Sequence, residues 1–137
     1  MISAVDSSVI LDVVVRDPAN VDQSEQTLRS ASQQGKLVVC ECVFAEIRPA
    51  FASSDLFVEF ATDWQLEFVP SSLESASLAG ERFAAYLQRG GNHGRVLADF
   101  LIGAHATLHA DRLLARDRGH LRDYFQNLVV LDPSRTC

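Results

Sequence analysis

"RVLADFLIGAHATLHADRLLARDRGH", residues 95–120, decides the fold. LADFLIGAHATLHA reads as a helix entered from the glycine-dense loop GGNHG at 90–94. DRLLARD then reads as a turn and a short apolar strand, and RGHLRDYFQN as a helical turn. Two carboxylates interrupt this apolar sequence, Asp99 in ADFLIG and Asp117 in LLARD. A buried carboxylate is costly unless something neutralises it.

The rest of the chain repeats the alternation of strand and helix. ISAVD reads as a buried strand, and SSVILDVVV as a helix with Ser at the N-cap, although its valines also suit a strand. DPANVDQSEQTLRSASQQG gives a turn and a helix ending at Gly35; KLVVC is a second buried strand. ECVFAEIRPAFAS is helical, with Val43, Phe44, Ile47 and Phe51 apolar, and Pro49 kinks or restarts it. DLFVEFATDWQ is an amphipathic helix and LEFVP a strand. SSLESASLAGERFAAYLQRGG is a long Ser-capped helix with Leu78, Phe83 and Leu87 inward and a GG stop; LVVL is the last strand. Short apolar strands alternating with helices predict an α/β protein, a parallel sheet covered on both faces. Ligands in such sheets bind beyond the carboxyl ends of the strands.

At 137 residues the chain is expected to form one domain, residues 1–137. Its 47% hydrophobic and 22% charged content is that of a globular protein rather than a disordered one. No apolar run approaches a membrane span, and MISAVDSSV lacks the basic start of a signal peptide. Cys40 and Cys42 form C-x-C, which indicates neither a redox motif nor a zinc half-site; with Cys137 the count is odd. Reduced thiols and a cytoplasmic location are the expectation. The net charge of −6 argues against simple phosphate-patch binding, but it is uneven: residues 1–81 carry −9 and residues 82–137 carry +3. Eleven of the twelve basic residues are Arg, the side chain suited to bidentate phosphate contact.

Four acids share the property of interrupting apolar sequence: Asp6 in AVDSSVIL, Glu46 in VFAEI, Asp99 and Asp117. Asp6 and Asp117 fall at strand ends, Asp99 at a helix start and Glu46 inside a helix. Each has a plain alternative: a cap for Asp99, a turn for Asp6, solvent for Glu46, an ion pair with Arg116 or Arg118 for Asp117. Together they suggest one pocket, where clustered carboxylates repel unless a cation neutralises them. An all-oxygen set suits Mg²⁺, or Mn²⁺.

The segments "VDSSVILD", "VVCECVFAEIRPAF", "RVLADFLIGAHATLHADRLLARDRGHLRDYF" and "LVVLDP" resemble, in order and over essentially the whole chain, the PIN domain, and more narrowly the VapC-type toxins of bacterial toxin–antitoxin pairs. The resemblance implies a three-layer α/β/α fold with a central, mainly parallel sheet. It implies a metal-dependent endoribonuclease in which Mg²⁺ activates water for attack on phosphorus. The family's acids carry over onto Asp6, Glu46, Asp99 and Asp117, with Asp6, Asp99 and Asp117 as metal ligands and Glu46 acting through water or on a proton. The Thr-Asn or Thr-Ser frequent after the first acid is Ser7-Ser8 here, and the Thr frequent before Arg-Asp is Ala115. Ser7, Arg95, Arg116 and Arg118 are candidate substrate contacts; a surface or ion-pair role is the alternative for each arginine. The implied partners are a cognate antitoxin and an RNA substrate, in a homodimer or a toxin–antitoxin hetero-oligomer, with no membrane.

Other features read more plainly. His105 and His109 are spaced as in zinc-binding helices, but the Glu such helices carry is absent, Ala106 standing there, so a packed or partly exposed pair is expected. His93 and His120 are assigned no role. Asp12, Asp111, Asp123 and Asp132 read as caps, turns or solvent-facing groups. Phe44, Phe51, Phe57, Phe60 and Trp64 exceed what one small core needs and suggest an interaction groove. A PIN-like module without activity is the alternative function, opposed by the intact four acids. A response-regulator-like phosphatase would want a Lys after a late strand, and the one Lys is Lys36.

Overall fold

The structure is a computed structural model and describes residues 1–92, 96–116 and 119–135, without the side chain of residue 120. Among the described residues, five short strands, β1 (Ser3–Val5), β2 (Leu37–Val39), β3 (Leu66–Phe68), β4 (Arg112–Leu114) and β5 (Val130–Leu131), form one sheet. All four pairings are parallel and the order is β3-β2-β1-β4-β5. The helices are α1 (Ser7–Val14), α2 (Val21–Gln34), α3 (Glu41–Ile47), α4 (Ser54–Asp63), α5 (Leu73–Gln88), α6 (Leu97–His109) and α7 (His120–Tyr124). The result is the expected three-layer α/β/α architecture, with the sheet fully rather than mainly parallel. A parallel sheet is buried on both faces, which is why β1 and β2 are three buried residues each, SAV and LVV. Edge strand β3 departs from that pattern, leaving Glu67 and Phe68 exposed.

Local chemistry sets the helix ends. Pro49 starts a 3₁₀ turn at Arg48–Ala50, so the chain breaks after α3 as its sequence requires. Ser53 caps α4 by accepting from the Leu56 N–H. Ser72 and Ser75 form a reciprocal capping box at the start of α5, their N–H to hydroxyl distances being 2.9 and 3.0 Å. Beyond the other end of α5, Gly90 has φ +88°, a left-handed conformation glycine adopts without strain.

The core runs through β1, β2 and β4 into α1, α3 and α6. Helix α6 is buried from Ile102 to Ala106, as expected of a helix covering the middle of a sheet. Phe100 is fully buried in a ring cluster with Phe83, Tyr86, Tyr124 and Phe125, which ties α5, α6 and α7 together. A Cβ on Gly103 would lie 2.7 Å from the Phe125 ring, so α7 docks where α6 has no side chain.

Strand order changes direction at β1: the chain builds outward through β2 and β3, then returns to place β4 and β5 on the other side. The crevice beyond the carboxyl ends of β1 and β4 is therefore the topological switch point, the place where such sheets bind ligands.

Candidate functional site

Asp6 is the first residue past β1, at that switch point. Its N–H donates to the Leu114 carbonyl at 2.9 Å, closing the end of β1 on the end of β4. Its side chain caps α1: Oδ2 accepts from the Ser8 N–H at 3.1 Å and from the Ser8 hydroxyl at 2.5 Å. The cap is thus Asp6 and not a serine, one residue earlier than the sequence suggested. A carboxylate is a strong cap because it also meets the positive end of the helix dipole. Asp6 is half-buried, and among the described residues its Oδ1 accepts no hydrogen bond.

Ser7 faces the other way. Its hydroxyl donates to Oε1 of Glu46 at 3.0 Å, joining the start of α1 to the last turn of α3. Glu46 is an exposed residue, so its carboxylate keeps access to solvent.

Asp99 is the third residue of α6. Ile102, Gly103 and Ala106 follow it at i+3, i+4 and i+7, and all three are buried, so Asp99 prolongs the core-facing stripe of the helix. Helix α6 leads into the amino end of β4 and packs on β1, β4 and α3. Its first turn therefore lies toward the carboxyl edge, the edge that carries Asp6.

Arg116 lies just past β4, and Asp117 follows it in sequence. The N–H of Arg116 donates to the Ser8 hydroxyl at 3.2 Å, and its Nη2 donates to Oδ1 of Asp12 at 2.7 Å. Asp12 is 2% exposed, and its Oδ2 accepts from the Ser24 hydroxyl at 2.7 Å. This buried ion pair is not the cap, turn or solvent-facing group the sequence suggested for Asp12. It lies on the second turn of α1, where i+4 spacing from Ser8 gives the one available hint. Ser8 was also missed as a contact of Asp6, although its place two residues after a strand-end acid is the usual position for a capping contact. Asp117, Arg95, Arg118 and His93 lie outside the described residues.

The structure thus places two hydrogen-bonded sets at the carboxyl end of β1, Asp6 with Ser8 and Arg116, and Ser7 with Glu46, and directs the first turn of α6 toward the same edge. The side chains of Asp6, Ser7, Ser8 and Glu46 offer oxygen ligands alone, the chemistry that fits Mg²⁺ or Mn²⁺. Among the described residues alone, no three His, Cys, Asp or Glu side chains form a metal cage.

The two helical histidines form a packed pair, with rings 5.1 Å apart. His105 is buried and its Nε2–H donates to the Val69 carbonyl at 2.7 Å; Nε2 of His109 lies 3.1 Å from the Ser72 hydroxyl. Burial, with His109 beside it, pushes the His105 imidazole below its ordinary value, despite the Val69 hydrogen bond. Nearby Glu41 accepts from the Ser71 N–H at 2.8 Å. Burial raises the Glu41 carboxyl, but hydrogen bonding from Ser71 outweighs it and the net direction is down. Cys40 is buried at the end of β2 and Cys42 half-buried, as expected of packing thiols.

The aromatic set resolves into a ladder. Phe44, Phe57, Phe51, Phe60 and Trp64 follow one another at centroid distances of 5.4 to 6.4 Å, all half-buried against the core. The Arg29 guanidinium lies 5.1 Å from the centre of the Trp64 ring. Leu56 and Val58 on α4, with Phe68 on β3, are the exposed apolar groups in this part of the molecule, each about half accessible.

The PIN domain family model matches residues 4–125, and the chain belongs to that family. Solved structures give the same fold. VapBC2 from Rickettsia felis, bound to a promoter DNA fragment, superimposes with a TM-score of 0.73 at 18% identity, covering 96% of this chain and 98% of that one. FitAcB from Neisseria gonorrhoeae gives 0.71 at 17% identity over 99% and 100% of the two chains. VapBC-1 from nontypeable Haemophilus influenzae gives 0.71 at 19%, over 98% and 100%. No curated protein sequence matches the chain. No helix among the described residues is long and apolar enough to cross a membrane.

Proposed function

We propose that this protein is a VapC-type toxin, a Mg²⁺-dependent endoribonuclease held inactive by a cognate antitoxin. The observation that carries this reading is the position of Asp6 at the topological switch point of a PIN domain, tied through Ser7 to Glu46 and through Ser8 to residue 116. PIN domains are generally nucleases, and similar folds come from VapBC proteins, a family of toxin–antitoxin systems.

In this reading Asp6, Asp99 and Asp117 hold one or two divalent cations. When bound, the cation supplies Lewis-acid stabilisation of charge on the phosphate and acidifies water. Asp6 enters with its position fixed by backbone and side chain, so little reorganisation accompanies binding. Glu46, exposed and hydrogen-bonded by Ser7, takes a proton from the attacking water. Ser7 orients that carboxylate and borders the substrate. Arg95 and Arg118 would add positive charge for the RNA backbone, and Arg116, whose charge Asp12 already pairs, would contribute hydrogen bonds from the exposed part of its side chain. Leu56 and Val58, half-accessible on α4, receive an apolar helix of the antitoxin.

Incubation of purified protein with single-stranded RNA tests the reading. Cleavage is expected with Mg²⁺, and none with chelator or in Asp99→Asn. Chelator-insensitive cleavage, or wild-type activity in Asp99→Asn, would contradict it.

A further inference from the structure

We infer that Ser8 is a positioning residue of this site: one hydroxyl holds Oδ2 of Asp6 and the backbone of residue 116 together, so that Asp6 presents Oδ1 alone to the cation. The inference rests on the metal-binding reading above and specifies how one ligand is prepared.

A serine hydroxyl has one proton to donate and lone pairs to accept with. Ser8 uses both capacities inside the site. It donates to Oδ2 of Asp6 at 2.5 Å, the short distance of a hydrogen bond to a charged acceptor, and accepts from the Arg116 N–H at 3.2 Å. The Ser8 N–H adds a second donor to the same Oδ2 at 3.1 Å. Both hydrogen bonds fall on one carboxylate oxygen, and among the described residues the other accepts none. The carboxylate is thereby oriented before any cation arrives.

The other half of the clamp is equally built. Residue 116 is held by its backbone to Ser8 and by its guanidinium to Asp12, which is 2% exposed and held in turn by Ser24. Ser8 and Asp12 lie one turn apart on α1, so a single helix grips residue 116 at two points. Asp117 is the next residue in the chain. Partners that orient a ligating carboxylate typically change metal affinity 10- to 100-fold when removed.

The test is the Mn²⁺ dissociation constant of the purified full chain, measured by calorimetry for wild type, Ser8→Ala, Ser8→Thr and Ser8→Cys, with melting temperatures alongside. Ser8→Ala is expected to bind Mn²⁺ about tenfold more weakly. Ser8→Thr, which keeps the hydroxyl, should restore most of the affinity. A purely structural serine would shift the melting temperature and leave Mn²⁺ affinity alone. Should Ser8→Ala not fold, Ser8→Cys preserves the shape with a weak donor and is expected to lose affinity in the same direction. Unchanged Mn²⁺ affinity in the folded variant, with wild type binding normally, overturns the inference. No Mn²⁺ binding by wild type contradicts the proposed function itself, and the role of Ser8 with it.

Discussion

Nη2 of Arg116 lies 2.7 Å from Oδ1 of Asp12, and the Asp12 side chain is 3% exposed while that of Arg116 is 38% exposed. The asymmetry decides which partner is costlier to remove. Asp12→Ala leaves an arginine that can turn toward water, and is expected to cost about 2–3 kcal/mol, less than a fully buried pair. Arg116→Ala leaves a carboxylate in the core with Ser24 as its remaining partner, and is expected to cost about 3–5 kcal/mol. Urea denaturation of the two variants measures the difference; equal costs would show that Arg116 is not the solvent-accessible half.

Asp6→Asn and Asp99→Asn should each lower RNA cleavage by more than the roughly 100-fold that loss of an outer-shell partner can cause. Melting temperature should stay within a few degrees, because neither residue is part of the hydrophobic core. Single-turnover assays on folded variants check this. An Asp99→Asn enzyme within tenfold of wild type would remove Asp99 from the ligand set.

Acid should weaken the fold in two steps. The His105 imidazole is held below its ordinary 6.5, by burial first and by His109 second. Above that value both the folded and unfolded forms are neutral there. As pH falls through it, the unfolded chain takes up a proton that the folded chain refuses, so stability declines. The Glu41 carboxyl is lowered from 4.5, so its contribution is present above that pH and is lost as pH falls through the folded value. His105→Gln should flatten the first step and leave most of the second, because Ser71 contributes more than His105 to the lowering at Glu41. Stability against pH by chemical denaturation reads both, and an unchanged first step would assign it to another group.

The aromatic ladder and its exposed neighbours should separate on mutation. Phe57→Ala removes ring contacts to Phe44 and Phe51 and is expected to cost about 2–3 kcal/mol, below the ~3–5 of a fully buried ring. Leu56→Asp and Val58→Asp, at half-exposed positions, should barely change stability but weaken co-purification with the antitoxin. Undiminished co-purification would exclude this face.

The same contrast shows what the sequence disclosed. Residues 2–6 and 36–40 were legible as strands because buried parallel strands are continuous apolar runs, and α6 because its length exceeds any strand. Asp6 and Asp99 stood out as lone charges in such runs. Asp12 did not, because its burial depends on Arg116, 104 residues away, and no local pattern encodes that pairing. The aromatics of α3 and α4 exceeded a small core by count, yet they pack on one another, a tertiary arrangement that composition does not reveal. Strand order, which makes the ends of β1 and β4 neighbours, likewise follows from long-range pairing rather than from local sequence.

In the proposed function, Asp6 and its neighbours would hold a cation that acidifies the water used to cleave RNA. The nature of the product ends tests this most directly. A short end-labelled RNA is cleaved under single-turnover conditions with Mg²⁺, and the ends are resolved by mass spectrometry. Attack by water gives products with no 2′,3′-cyclic phosphate, and replacing the 2′-hydroxyl at the scissile position by hydrogen should leave cleavage intact. Both results should vanish in Asp6→Asn. A 2′,3′-cyclic phosphate, or loss of cleavage at the 2′-deoxy position, would show that the RNA's own hydroxyl is the nucleophile and contradict the mechanism.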